Sequence, residues 1–352
     1  MSQTPLLQIE DLTVTYSTAQ GDLPAVRGLD LSLQPGETLG IAGESGCGKT
    51  TVAMAILRLL PPKTEISGKL LLNGKDVLSM SWGQVRAVRW AGASIIFQGA
   101  QHALNPVHRV GQQIAEPIEL HQNLSSAEVD KIVDDLLQQV GLPTWRAQNY
   151  PHELSGGQRQ RVMIAMALAC DPDLILADEA TTALDVMVQA QVLTLLKDLV
   201  RQRNAGLMMI SHDLSVLAEV CDRAMVMYAG KVVEAGDAHS LFNTPMHPYG
   251  DALGAAFPVI GDPAARNNPR GLKGDPPVPG SLPTGCSFHP RCRAARPDCT
   301  VTEPELLPVP VPGTESNNGS TQRLSACLVA QDGETIRPVQ SAASAASQEG
   351  EQ

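Results

Sequence analysis

The sequence has few aromatic residues, no excess of basic residues and no long apolar run. Only 3% of its 352 residues are aromatic, and 26 Lys and Arg residues face 37 Asp and Glu residues, which gives a net charge of −11. Nucleic-acid binding relies on base stacking and on neutralising phosphates. We therefore predict no nucleic-acid partner.

The apolar residues are numerous but never form a membrane-length run. The longest run, residues 162–170, has nine residues, whereas a membrane helix requires roughly 18. No basic segment followed by an apolar one opens the sequence, so no secretory signal is predicted. Because 43% of the residues are hydrophobic, a large core can form. We expect a cytosolic chain that reaches any membrane through partners.

Proline and cysteine divide the chain. Residues 251–352 contain 14 of the 26 prolines, and four of the seven cysteines cluster in the same region. An odd cysteine count and a reducing compartment argue against a full disulfide framework. We predict an α/β domain over residues 1–255, an extension over 256–330 and a disordered tail over 331–352.

Short apolar strands alternate with helices in the first part. Strands are predicted at 39–42, 174–177 and 207–210, and helices at 49–60, 125–140 and 159–170. The helix from Ser125 has apolar residues at helical spacing, a capping box with Glu128 and a stop at Gly141. Strands this apolar favour a parallel sheet that helices cover on both faces.

A glycine-rich loop follows the first of these strands. Residues 43–50, GESGCGKT, match GxxxxGK[ST] at every fixed position. The backbone N–H groups of this loop and the N-terminus of the following helix favour the binding of phosphate. Lys49 adds a positive charge, and the Thr50 hydroxyl is suited to coordinate Mg²⁺. The predicted phosphate-binding residues are Gly43, Glu44, Ser45, Gly46, Cys47, Gly48, Lys49, Thr50 and Thr51.

A second strand, in the segment LILADE, ends in two adjacent carboxylates. Alone, such an ending is most often an ordinary acidic strand end. With a phosphate loop upstream, Asp178 is predicted to hold Mg²⁺ through its water shell, and Glu179 to polarise an attacking water.

The segment LSGGQ precedes a predicted helix and forms a second anion site. Its residues are Ser155, Gly156, Gly157 and Gln158. One nucleotide cannot easily use both anion sites of one subunit. A dimer in which each chain lends this segment to the other's nucleotide resolves the difficulty, whereas in isolation the segment would be a simple helix cap.

In this order the three segments resemble those of the nucleotide-binding subunit of an ABC transporter, over residues 6 to about 250. The resemblance implies a P-loop NTPase fold of the ABC ATPase type. Its parts are a mostly parallel sheet core, an antiparallel β subdomain and a helical subdomain at about 100–165. It also implies ATP hydrolysis with ATP and Mg²⁺ as cofactors, and the implied Mg²⁺ ligands are Thr50, Gln98 and Asp178.

The same resemblance assigns roles to single residues. Tyr16 would stack on adenine, Gln98 would touch Mg²⁺ and the membrane subunit, Asp185 would cross the dimer interface, and His212 would contact the γ-phosphate. Ala180 departs from the family, which usually has proline there, and we expect activity to survive this change. The implied catalytic residues are Glu179, His212 and Gln98.

Three features resemble the importer ATPases for oligopeptides, dipeptides and nickel. They are the segment after Gln98, the triplet His247-Pro248-Tyr249, and the cysteine-containing extension. The resemblance implies two membrane permeases, a second ATPase subunit (identical or homologous) and an extracytoplasmic solute-binding protein. The chain would lie peripherally on the cytoplasmic face of the inner membrane. Dipeptides, longer peptides and nickel chelates all remain open as cargo.

The four cysteines of the extension have the spacing C-x5-C-x6-C-x27-C, which is poor for zinc. The resemblance suggests a 4Fe–4S cluster, since four thiolates are its usual ligands. The alternative is an extension with free thiols. Three nearby arginines, Arg291, Arg293 and Arg296, are expected to form a solvated face or to offset cluster charge. The cluster ligands would be Cys286, Cys292, Cys299 and Cys327.

Two other classes were weighed against the transporter subunit. A soluble ABC ATPase of DNA repair or translation resembles a tandem or coiled-coil-inserted enzyme, and this sequence has one ATPase unit and no heptad insertion. A small-molecule kinase of the P-loop type lacks an LSGGQ-type second anion site. Both classes fit poorly.

Overall fold

Two β-sheets form the framework of the computed structural model. It describes residues 4–19, 21–99, 103–181, 184–256, 272, 274–278, 280–310, 322–334 and 336. Most of the predicted tail therefore lies outside the described residues. The strands are β1 (Leu7–Thr18), β2 (Gly21–Leu33), β3 (Thr38–Ala42), β4 (Thr64–Leu72), β5 (Lys75–Asp76), β6 (Ala93–Ile96), β7 (Leu174–Asp178), β8 (Gly206–Ser211), β9 (Arg223–Tyr228), β10 (Lys231–Asp237), β11 (Leu307–Pro308) and β12 (Leu324–Ser325).

Helices cover the sheets, and a cluster of helices extends the fold between β6 and β7. The helices are α1 (Lys49–Ile56), α2 (Trp82–Val88), α3 (Val110–His121), α4 (Ser126–Gln139), α5 (Gly156–Ala167), α6 (Val186–Arg203), α7 (Leu214–Val220), α8 (Ala238–Asn243), α9 (Pro248–Ala256) and α10 (Leu328–Gln331). Among the described residues, none of them combines the length and the apolar character that crossing a bilayer would need.

The larger sheet has eight strands in the order β11-β12-β10-β9-β3-β8-β7-β6. Strands β9, β3, β8, β7 and β6 run parallel, and every residue of β3, β7 and β8 is buried. This confirms the predicted parallel sheet. The second sheet is antiparallel, with the order β2-β1-β4-β5, and its inner face shares an apolar core with β3 and α1.

Two predicted helices have different limits in the structure. Helix α1 ends at Ile56 rather than at residue 60, because Arg58 adopts a left-handed backbone with φ of +49°. Helix α5 occupies Gly156–Ala167 instead of 159–170, because Ser155 is its N-cap and the Ser155 hydroxyl accepts the Gln158 N–H at 3.3 Å.

Helix α4 follows the prediction closely. The Glu128 carboxylate accepts the Ser125 N–H at 2.8 Å and the Ser125 hydroxyl at 2.6 Å. Gly141, with φ of +71°, follows the helix and has the left-handed conformation that glycine adopts without strain. Apolar residues of α3, α4 and α5 share one buried cluster, so the three helices pack as a group.

The extension joins the larger sheet. Strand β12 pairs antiparallel with β10, with Ser325 opposite Glu234, and β11 pairs with β12. Beside this pairing, the buried Arg323 donates a hydrogen bond of 2.7 Å to the buried Glu234. The extension therefore completes one edge of the sheet.

Candidate functional site

The loops that follow β3, β7 and β8 meet at the carboxyl edge of the parallel sheet. Ligands commonly bind at this edge in open α/β sheets. In this structure the edge borders a cleft of about 780 Å³. The cleft is lined by residues from the glycine-rich loop and by Tyr16, Gln98, Glu179 and His212.

The glycine-rich loop is held in shape by its own lysine. The buried Lys49 ammonium donates to the carbonyl oxygens of Gly43 at 2.7 Å and Glu44 at 2.9 Å. Gly48, with φ of +107°, begins α1, and a Cβ there would lie 2.3 Å from the Ala25 carbonyl oxygen. Only glycine fits this position, so the loop is preorganised with the N-terminus of α1 open toward an anion.

Hard oxygen atoms lie next to this loop. The Thr50 hydroxyl and an Asp178 carboxylate oxygen are 3.2 Å apart. Asp178 is only 3% exposed, and this burial raises the pKa of its carboxyl group, while the Thr50 hydrogen bond partly offsets the rise. A cation would favour the ionised carboxylate. A hydroxyl and a carboxylate are ligand types that Mg²⁺ prefers, so the donor set fits that ion.

Glu179 projects into the cleft beside two other predicted residues. Its carboxylate accepts a 2.8 Å hydrogen bond from the Gln98 amide and lies 3.7 Å from His212 Nδ1. Glu179 has a left-handed backbone with φ of +47°, a conformation that non-glycine residues rarely adopt outside functional sites. Ala180, at the family's proline position, is buried.

Tyr16 lies at the outer part of the cleft. Its hydroxyl is 3.1 Å from the Thr51 hydroxyl, and its ring lies on the cleft wall. The structure therefore brings Tyr16 together with the phosphate loop, although 35 residues separate it from Thr51 in the chain.

The LSGGQ residues lie outside this cleft. Ser155, Gly156, Gly157 and Gln158 form the start of α5, where a Cβ on Gly157 would lie 2.5 Å from a Val188 methyl group. Asp185 caps α6 by accepting the Val188 N–H at 3.0 Å. The fold thus joins the second predicted anion site to Asp185, and separates both from the phosphate loop of the same chain.

Two residues that the sequence did not assign to the site hold Glu44. The Tyr249 hydroxyl accepts the Glu44 N–H at 2.8 Å, and Arg291 donates two hydrogen bonds to the Glu44 carboxylate at 2.6 and 2.9 Å. Tyr249 belongs to the triplet that the sequence analysis used only as a marker. No local pattern signals either contact.

The expectation of a solvated arginine face is wrong for Arg291. Its side chain is only 6% exposed and forms an ion pair with Glu44, because the extension folds against the phosphate loop. Arg293 is exposed. Arg296 forms ion pairs with Asp298, Asp332 and Glu334, so it ties two parts of the extension together.

The four cysteines of the extension are free thiols, and each of Cys286, Cys299 and Cys327 influences the pKa of Cys292, which indicates that they lie near one another. Burial, reinforced by neighbouring thiolates, raises the pKa of Cys286 to about 11 and that of Cys292 to about 12. A backbone hydrogen bond also links Cys286 to Cys299, since the Cys286 N–H donates to the Cys299 carbonyl oxygen at 2.9 Å. Within the described ranges, no three His, Cys, Asp or Glu side chains are arranged to hold a single metal ion.

Two family models match the chain. The ABC transporter model matches residues 26–182, and the model of the oligopeptide/dipeptide transporter C-terminal region matches residues 233–299. The oligopeptide transport ATP-binding protein OppD of Escherichia coli is 46% identical over 301 residues, covering 85% of this chain and 89% of that protein. OppD of Salmonella typhimurium is 45% identical over 301 residues, with the same coverage.

Solved structures of the same fold are also similar. A dimeric ATP-binding cassette in a post-hydrolysis state with ADP and Pi aligns with a TM-score of 0.60 at 27% identity, covering 66% of this chain and 98% of that one. The protein cbiO1 of Clostridium perfringens, part of the ABC transporter complex cbiONQ, aligns with a TM-score of 0.60 at 26% identity, covering 69% of this chain and 92% of that one. The chain therefore belongs to the ABC transporter ATPases, in the branch defined by the oligopeptide/dipeptide transporter C-terminal region.

Proposed function

We propose that this chain is the ATP-hydrolysing subunit that energises peptide uptake through a membrane ABC importer. One observation carries the proposal: Lys49, Thr50 and Glu179 line a single cleft at a preorganised phosphate loop, and Asp178 contacts Thr50 there at 3.2 Å. The match of residues 233–299 to the oligopeptide/dipeptide transporter model supports peptides as the cargo.

ATP would occupy the cleft with its phosphates on residues 43–51 and its adenine against Tyr16. Phosphoryl transfer depends mainly on positioning and charge stabilisation. Lys49 would neutralise the β- and γ-phosphates, and Thr50, Gln98 and Asp178 would hold Mg²⁺. Glu179 would accept a proton from the attacking water, and His212, which lies 3.7 Å from the Glu179 carboxylate, would contact the γ-phosphate.

A second ATPase subunit completes the site. Ser155–Gln158 and Asp185 lie outside the cleft of their own chain, so they are free to face the nucleotide of a partner. The partner is a second copy or a homologous ATPase. Binding of ATP closes the dimer and hydrolysis reopens it, which is the reversible motion that a transport cycle requires.

An apolar groove beside Gln98 supports docking of the membrane permeases. The groove has a volume of about 320 Å³, and Leu57, Phe97 and Met163 are among its lining residues. Phe97, next to Gln98, is 36% exposed. Two permeases would bring the chain to the cytoplasmic face of the inner membrane, and an extracytoplasmic solute-binding protein would deliver the peptide to them.

The extension is proposed to hold a 4Fe–4S cluster through Cys286, Cys292, Cys299 and Cys327. Cys286, Cys299 and Cys327 all help to raise the pKa of Cys292, which indicates that the four side chains lie near one another, and four thiolates are the usual ligands of such a cluster. It would cross-link the extension. Anaerobic purification and iron and sulfide analysis test it, and a colourless protein with no iron would contradict it.

The importer function is tested on the chain with its membrane partners reconstituted in liposomes. We expect ATP-dependent uptake of labelled di- and oligopeptides, and Lys49→Ala should abolish both ATP binding and uptake. Unchanged nucleotide affinity in Lys49→Ala would overturn the phosphate-loop assignment. Uptake of nickel instead of peptides would contradict the assignment of peptides as the cargo. A chain that hydrolyses ATP but binds no membrane partner would favour a soluble ATPase.

A further inference from the structure

The second residue of the phosphate loop, Glu44, is held on two sides by residues from the carboxyl-terminal part of the chain. Tyr249 accepts its backbone N–H at 2.8 Å. Arg291 grips its carboxylate with two hydrogen bonds of 2.6 and 2.9 Å. A paired, two-bond contact between a guanidinium and a carboxylate fixes both position and orientation. The loop shape at Glu44 therefore depends on the extension.

Arg291 is itself firmly placed. Its side chain is 6% exposed, and its guanidinium lies 5.9 Å from the ring centres of Tyr228 and Phe288. It also donates to the Tyr228 hydroxyl at 3.3 Å. A charge this buried is stable only when it is paired, and the Glu44 carboxylate forms an ion pair with it.

Glu44 is one of the residues that line the cleft. An uncompensated negative charge there would repel the triphosphate, because like charges a few ångströms apart at a protein surface repel one another appreciably. Arg291 cancels this charge and holds the carboxylate against the extension.

We propose that Arg291 is a positioning residue through which the extension sets the ATP affinity of the phosphate loop. The proposal deepens the proposed ATPase function and rests on it. Arg291 lies between Cys286 and Cys292, and the turn that carries it is closed by backbone hydrogen bonds from His289 N–H to Cys286 and from Cys292 N–H to His289. The conformation of the cysteine-containing segment thus affects nucleotide binding through the ion pair between Arg291 and Glu44.

The test measures binding of a fluorescent ATP analogue to the full chain and to three variants. Arg291→Gln should weaken binding about tenfold, because Glu44 then opposes the phosphates. Glu44→Gln in the same chain should restore most of that loss, and Glu44→Gln alone should bind more tightly than the wild type. The deficit of Arg291→Gln should shrink at high salt, which screens exposed charges.

Arg293→Gln is the matched control, since Arg293 is exposed and lies in the same segment. It should bind the analogue like the wild type. If Arg291→Gln weakens binding and Glu44→Gln does not rescue it, Arg291 has only a structural role and the inference is wrong. If Arg291→Gln binds like the wild type, the inference is equally wrong. A wild-type chain that binds no ATP would instead refute the proposed function.

Discussion

Glu179 joins an unusual backbone conformation to a carboxylate at the centre of the cleft. Its left-handed φ of +47° and its contacts with Gln98 and His212 fix where the carboxylate points. We expect Glu179→Gln to keep ATP binding and to slow hydrolysis about 10²–10⁴-fold, because the amide cannot accept the proton of water. The trapped ATP should hold the dimer closed.

Single-turnover phosphate release and ATP-dependent dimerisation on a sizing column measure this effect. Glu119→Gln, an exposed change on α3, is the control and should behave as the wild type. Hydrolysis by Glu179→Gln at a rate near that of the wild type would remove Glu179 from the role of base.

At the scale of residues, local sequence was informative only where the chemistry is local. The phosphate loop could be predicted because its glycines, Lys49 and Thr50 are consecutive in the chain. The grip of Arg291 on Glu44 could not, because 247 residues separate the two. The pattern around Arg291 gave no sign that its side chain is buried.

Among the elements, α4 shows how a capping carboxylate depends on pH. Hydrogen bonds from the Ser125 hydroxyl and N–H hold the pKa of Glu128 below its ordinary value of 4.5. The ionised Glu128 carboxylate therefore stabilises the folded chain above pH 4.5, and this stabilisation is lost as the pH falls through the lowered folded-state pKa of Glu128. Ser125→Ala, which removes the hydroxyl that donates to Glu128 at 2.6 Å, should lower the free energy of unfolding at pH 7.

Urea unfolding at pH 7 and at pH 3.5 measures the free energy of unfolding of this variant. The difference from the wild type should shrink at the lower pH. Ser126→Ala, one residue further along the chain and inside the helix, is the control and should have little effect. Equal destabilisation by the two changes would show that the cap is not the cause.

Helix limits depend on contacts that periodicity does not contain. The sequence predicted α4 well because its apolar spacing, its cap and its terminal glycine agree. It extended α1 too far, because the end of that helix is fixed from outside. The Arg58 guanidinium donates to the Met80 carbonyl at 2.5 Å and lies 4.7 Å from the Trp82 ring centre.

On the scale of the whole molecule, a buried ion pair fastens the extension to the sheet. Glu234 is 0% exposed and Arg323 is 5% exposed. Arg323→Met would leave the Glu234 carboxylate buried without its cation, and we expect a loss of about 3–5 kcal/mol in the free energy of unfolding. Adding Glu234→Gln should recover much of this loss.

The loss of unfolding free energy in Arg323→Met should also depend on pH. Burial raises the pKa of Glu234 to about 7, whereas its ordinary value is 4.5, and removing Arg323 raises it further. A group with a raised folded-state pKa stabilises below its unfolded pKa and loses that contribution as the pH rises through the folded value. The free energy of unfolding of Arg323→Met should therefore lie further below that of the wild type at pH 8 than at pH 6. A pH-independent deficit would contradict this assignment.

Composition identified the extension but not its place in the sheet. Its prolines and cysteines distinguished it from the α/β domain, yet β11 and β12 have only two residues each. Runs this short carry no periodicity, so their pairing with β10 could not be read from the sequence. The parallel core could, because β3, β7 and β8 are short, wholly apolar or nearly so, and separated by helices.

The pairing of Glu234 with Arg323 also sets an order of events during synthesis. The two residues lie 89 positions apart in the chain, and a ribosome adding about 5–20 residues per second needs roughly 5–20 s to make the interval. Throughout that time β10 lacks its neighbour β12, and the Glu234 carboxylate lacks its cation. The phosphate loop emerges early from the ribosome, yet Glu44 gains its contact with Arg291 only after translation has passed residue 291.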